Sequence, residues 1–184
     1  MPRAIAENRI PGVNKTTGTP LILGLGNLVR GDEGLGVHAA NHLSSQFTAF
    51  RSVEVLDGGT LGLSLIEPIA QSSALIVIDA ANLGKPPGTT EVFIGAGMDR
   101  FVVNLKTRTA HDVNLVDLLH AVKLLDCLPS ARALIAIQPH TLDLSTVLSP
   151  AVEAAVKSLP DLCERLLAFL DQSITEPDPL WITS

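Results

Sequence analysis

A single-domain, three-layer α/β/α fold, with a mainly parallel five-stranded twisted sheet and helices on both faces, is what this sequence predicts. Three observations predict it. Short apolar runs of strand length recur along the chain and alternate with stretches in which apolar residues keep helical spacing. The strongest of these runs are almost continuously apolar, as expected of strands covered on both faces in a parallel sheet. Glycines stand where the first apolar run gives way to a helical pattern, the mark of a sharp strand-to-helix turn.

The chain is organised around residues 21–36, LILGLGNLVRGDEGLG. Leu21-Ile22-Leu23 opens a buried strand, Gly24 and Gly26 break it, and a helical pattern runs from Gly34 to about Phe50 on Leu35, Ala39, Ala40 and Leu43. A second strand is expected over 52–57, then a turn at Gly58-Gly59-Thr60 and a short helix from Gly62 to Ala70. Ala74 to Ile78 is the strongest strand of the chain and ends at Asp79. Lys85-Pro86-Pro87-Gly88 reads as a loop, Glu91 to Gly95 as a fourth strand, and Ala96 to Ala110 as an irregular, mobile surface loop. Asp112 suits the N-cap of a helix with Leu115, Leu118, Leu119, Val122 and Leu125 on its stripe, which leaves His111 just outside it. A fifth strand from Ala133 to Ile137 and a closing helix from about Pro150 to Leu170, irregular at Pro160, complete the order β-α-β-α-β-β-α-β-α. Residues 1–19 are expected to form a flexible lead-in, 20–172 one folded domain, and 173–184 a poorly packed tail.

Composition narrows the function. A chain of 184 residues that is 46% hydrophobic can bury a full core. A net charge of −6, with 13 Lys+Arg and no basic run, argues against a nucleic-acid surface, and 3% aromatics argue against a base-stacking platform. No apolar stretch approaches the roughly 18 residues of a membrane span, and the first 19 residues do not read as a signal peptide. Cys127 and Cys163 fall in separate helical patterns with no C-x-x-C, so they read as buried, reduced thiols of a cytoplasmic protein.

The residues with chemistry converge by topology. A parallel sheet brings its strand C-termini to one edge, where ligands bind. That logic gathers Asp32 and Glu33, Asp57 and Asp79 in one cleft, with His111 and His140 as further candidates. Carboxylates that converge repel one another unless they are protonated or share a cation. Two carboxylates and an imidazole suit a borderline divalent metal such as zinc or nickel. Plainer readings stand beside this one: Asp32 and Glu33 favour a helix dipole, and Asp79 can cap the turn after its strand. A dinucleotide loop G-x-G-x-x-G is spoiled by Val29, and two acids there would repel a pyrophosphate. His38 and His42 are four apart, but Ala39 replaces the glutamate of H-E-x-x-H, and both fall off the apolar stripe, so a solvated face is expected for them.

The run GLGN-x-x-x-x-DEGLG at 24–36, DGGT-x-G at 57–62, VIDA at 77–80 and H-x-x-x-L at 111–115 resembles the hydrogenase maturation endopeptidases. Gln138-Pro139 and Leu148-Ser149-Pro150 resemble later features of that family, so the likeness spans about residues 20–170. It implies an endopeptidase that removes a C-terminal peptide from the NiFe hydrogenase large subunit precursor after nickel has been installed. It further implies that the metal-binding residues are Glu33, Asp79 and His111, with Asp57 of the DGGT turn beside them in the catalytic set. The implied cofactor is a divalent metal, nickel above all, which the substrate itself can supply. A cytoplasmic monomer is expected. Familiar peptidase machinery is missing from the sequence, which has no G-x-S-x-G elbow and no H-E-x-x-H. A non-cleaving chaperone that checks nickel in the large subunit is the competing reading, and a nucleotide-dependent oxidoreductase using Asp57 as a ribose ligand is a third.

Overall fold

The structure, a computed structural model, describes residues 18–47, 52–104 and 115–175. Five strands, β1 (Leu21–Leu25), β2 (Glu54–Gly59), β3 (Ala74–Ala80), β4 (Thr90–Ile94) and β5 (Ala131–Ile137), form one sheet in the order β2-β1-β3-β5-β4. All neighbours are parallel except β4, which pairs antiparallel to β5 at the edge. The helices are α1 (Leu35–Phe47), α2 (Ile66–Gln71), α3 (Ala96–Asn104), α4 (Leu115–Leu124), α5 (Pro150–Lys157) and α6 (Leu159–Thr175). Short 3-10 turns at Gly31–Gly34 and Gly62–Leu65 lead into α1 and α2. None of the described helices is long and apolar enough to cross a membrane.

The period of two along the strands divides the interior into two cores. Ile22, Ile76, Ile78, Ala133, Ile135 and Ile137 face α1, α5 and α6. Leu21, Leu23, Leu75, Val77, Leu134 and Ala136 face α2, α3 and α4. Each fully buried leucine or isoleucine contributes about 1.5–3 kcal/mol, so β1, β3 and β5, apolar on both faces, anchor the molecule.

The expected sheet is present, with differences of detail that have physical reasons. Gly58 and Gly59 continue β2 rather than turning, because Gly58 lies against Leu23, Leu25 and Leu65, where a Cβ would come within 2.7 Å of Leu23 Cδ1. The first part of the stretch 96–110 is helix, not loop. Met98 and Val102, one turn apart, are buried, and Phe101 stacks on Phe93 of β4 at 3.8 Å between centroids. Arg132 of β5 clamps the same helix, donating from Nε and Nη2 to Asp99 at 2.9 and 2.6 Å. Residues 105–114 lie outside the described residues, as do 1–17 and 176–184, the greater part of the expected lead-in and tail. The closing helix is two helices that meet at Ser158. Pro160 has no N–H to donate, which suits only the first turn of a new helix, and it stands second in α6. Helix α1 starts one residue later than the periodicity suggested, and residues 48–50 of the expected helix lie outside the described residues.

Candidate active site

β1 and β3 are neighbours, but α1, which follows β1, packs with one core, while α2, which precedes β3, and α4, which leads to β5, pack with the other. The C-terminal ends of these two strands therefore open a crevice at a topological switch point. Glycines bring the backbone of its rim close together. Gly26, at φ +136°, lies so near the Glu33 carbonyl that a Cβ would stand 1.9 Å from it. Gly36 seats α1 on the strand ends, where a Cβ would meet the Leu25 and Ile78 carbonyls at 2.2 and 2.4 Å. Glu33 is thus held at the crest by backbone contacts on either side of it, and its Oε2 accepts from Arg30 Nε at 3.0 Å.

Asp79 stands at the end of β3, in register with Ala136 of β5. Ala80 N–H donates to its Oδ1 at 2.8 Å. Burial raises the Asp79 carboxyl to about 7, the hydrogen bond from Ala80 opposes that, and the nearby charge of Glu33 raises it further. Glu33 therefore lies near enough for its charge to act on the Asp79 carboxyl. Leu75 and Val77 belong to the α2/α4 core, so Asp79 by alternation stands on that face too. Leu115, the first residue of α4, is buried against the same face, and His111 precedes it by four residues, outside the described set.

Asp57 is placed differently. Val53 and Val55 pack toward the α1 core and Leu56 toward the other, so Asp57 stands on the α1 face of edge strand β2 and is exposed. It pairs in register with Gly24, and two strand spacings, about 9–10 Å, separate β2 from β3. The side chain of His140 is also exposed, while its backbone N–H points inward to Asp32. Among the described residues no three His, Cys, Asp or Glu side chains gather closely enough to hold a metal ion by themselves. Glu33 and Asp79 supply two oxygen donors on one side of a crevice, which fits a cation that brings other ligands with it.

Three features were beyond sequence reasoning. Asp32 is fully buried, and its carboxylate accepts four hydrogen bonds: Ser149 N–H at 2.7 Å on Oδ1, and His140 N–H, Thr141 N–H and Ser149 Oγ at 2.8, 3.2 and 2.8 Å on Oδ2. Burial alone would raise its pKa, but these bonds from Ser149, His140 and Thr141 outweigh it and hold the carboxyl below its usual 3.8. Asp32 is a pin for the loop after β5 rather than a partner of Glu33. Gln138 does similar work on the other side, its Oε1 accepting from Leu83 N–H at 2.7 Å. His38 does not lie on a solvated face. It is half-buried, and its Nε2 is buried with no hydrogen-bond partner among the described residues, because α1 is packed on more sides than its leucine stripe reveals. Both cysteines are free and buried as expected, and burial pushes the Cys163 thiol up to about 12.

Residues 37–166 match the family described as hydrogenase maturation protease. The chain belongs to that family. It is 32% identical to the hydrogenase expression/formation protein HupD of Bradyrhizobium diazoefficiens over 91% of this chain and 82% of the relative. It is 34% identical to the hydrogenase 2 maturation protease of Escherichia coli over 86% of this chain and 94% of that protein. The alignment with HupD of Thiocapsa roseopersicina, 32% identical, spans 76% of this chain and 66% of the relative. Among solved structures, the hydrogenase maturating endopeptidase HybD of E. coli superposes with a TM-score of 0.71 at 31% identity, covering 84% of this chain and 93% of that one. A maturation protease of Thermococcus kodakarensis gives 0.65 at 26% identity over 80% and 98%.

Proposed function

We propose that this protein removes a C-terminal peptide from the large subunit precursor of a NiFe hydrogenase once nickel is in place. The observation that carries this is the placement of Glu33 and Asp79 at the β1/β3 switch point of a maturation-protease fold. A divalent cation arriving beside them would offset the cost of ionising the buried Asp79 next to the charge of Glu33. In this reading nickel belongs to the substrate, and Glu33, Asp79 and His111 meet it there. His111 precedes by four residues Leu115, which opens α4 on the face where Asp79 stands. Asp57, across β1 from them, would approach the substrate chain rather than the cation.

Hydrolysis adds a hydroxyl to the carbonyl carbon and a proton to the departing amine. Asp79, with its carboxyl near 7, can hold or release a proton at neutral pH, and Oδ2 is its site because Oδ1 already takes the Ala80 N–H. Glu33, fixed against Gly26 and Arg30, provides a second oxygen acceptor. The aspartic-type and metal-dependent character of the chemistry, and action as a cytoplasmic monomer, belong to the same proposal. Purified protein is mixed with precursor, with and without nickel, and the large subunit is followed by mass spectrometry. Shortening of the nickel form alone is expected. Equal shortening of both forms would remove the nickel gate, and binding without shortening would leave a chaperone.

A further inference from the structure

The loop between β5 and α5 and the loop between β1 and the first 3-10 turn are welded together. Gly31 N–H donates to Ser145 O at 2.7 Å and Ser145 N–H to Val29 O at 3.2 Å, so Arg30 and Ser145 form a parallel bridge. Asp32 N–H donates to Thr141 O at 3.1 Å, and the buried Asp32 carboxylate ties down residues 140, 141 and 149. Inside the second loop, Ser145 Oγ donates to Val147 O and accepts from Val147 N–H at 3.1 and 3.0 Å, and Thr141 Oγ1 donates to Asp143 Oδ2 at 2.8 Å. This rigid unit nonetheless turns large apolar side chains to solvent: Leu144 is 87% exposed, Val147 70%, Val29 54%, Leu142 46% and Leu28 40%. Isolated apolar residues on a surface need no explanation, but several of them on one hydrogen-bonded unit do.

We infer that this unit is a preformed docking ledge for the body of the hydrogenase large subunit precursor, which would present an apolar surface around its metal-bearing segment. The inference rests on the function proposed above. Continuity identifies the occupant. The ledge runs through Asp32 directly into Glu33, so it adjoins the place where a polypeptide would reach Glu33 and Asp79. The ordering is already complete in the free protein, so little conformational freedom is lost on binding. The apolar groove between α3 and α4, lined by Val102, Val103, Val116 and Leu128, lacks such continuity.

The test compares wild type, Leu144→Asp/Val147→Asp and, from the other loop, Val29→Asp, with Leu124→Asp as control. Leu124 is 87% exposed at the end of α4, near the opposite edge of the sheet. Affinity for purified nickel-loaded precursor is measured by biolayer interferometry, together with cleavage kinetics, melting temperature and sedimentation. Ledge variants should bind about tenfold more weakly or worse, with KM raised, kcat kept, and melting unchanged. The control should match wild type. Ledge variants that bind within about twofold of wild type would overturn the inference, as would wild type that does not bind precursor at all. A wild-type dimer that the variants split without loss of precursor binding would assign the ledge to a second copy and overturn it equally. Wild type that binds but does not cut would sink the peptidase reading, while the binding comparison would still judge the ledge.

Discussion

Asp32 and Asp79 stand at the same edge of the sheet, and their surroundings move their acidities in opposite directions. Asp79, at about 7 when folded and near 3.8 when unfolded, binds more proton in the folded state between those values. Its contribution therefore lowers stability as pH rises from about 4 to about 7, by on the order of 2–4 kcal/mol, and the cost is complete above 7. Asp79→Asn should remove that slope, melt several degrees higher than wild type at pH 8, and abolish processing. A large loss of melting temperature would show instead that Asp79 is chiefly a turn cap. Asp32, held below 3.8, contributes stability that is present above that value and is lost as pH falls through its folded value. Asp32→Asn leaves convergent donors facing an amide N–H2, and should cost about 2–4 kcal/mol, read as a fall of roughly 5–15 °C in melting temperature. A change under 2 °C would deny its role as a pin. His111 is tested by calorimetry with nickel. His111→Ala should bind at least about tenfold more weakly, and equal affinity would remove it from the site.

At the scale of elements, the site depends on how closely α1 approaches the ends of β1 and β3. Gly36 has backbone carbonyls at 2.2 and 2.4 Å from where a Cβ would lie, and neither is the mobile end of a side chain. Gly36→Ala should therefore lift α1 from the sheet, costing about 2–3 kcal/mol or roughly 4–12 °C. It should lower processing further than stability alone explains, since Glu33 rides on the same turn. A variant as stable and active as wild type would show that the crest is more compliant than its contacts indicate. Helix α3 has its own tether in the Arg132–Asp99 pair, which helps to hold a stretch with an irregular sequence pattern as helix.

For the whole molecule, two cores cover both faces of β1, β3 and β5, and the candidate site gathers at the C-terminal edge of these strands. The cysteines belong to these cores. Cys127 and Cys163 should resist a thiol reagent in the native protein at pH 8 and both react in denaturant. Rapid native labelling of either would mean that its core opens readily. The extent of the apolar ledge also belongs to this scale, because it joins residues more than a hundred positions apart.

The amino-acid pattern by itself determined the five strands, most of the helices that cover them and the edge at which Glu33 and Asp79 stand, but neither the strand order nor α3. Buried strands are legible because their apolar runs have no polar face, and strand ends are legible because Gly24, Gly26 and Asp79 interrupt those runs. Tertiary structure alone decided what each carboxylate does. Asp32 and Glu33 are adjacent and chemically alike in sequence, yet one is buried under four donors from residues 140–149 and the other is left at the crest. Asp57 and Asp79 both lie near the C-terminal ends of strands, yet strand order and pleat put them on opposite faces, two strands apart. Burial, hydrogen-bond supply and register are set by residues distant in the chain, and no local pattern carries them.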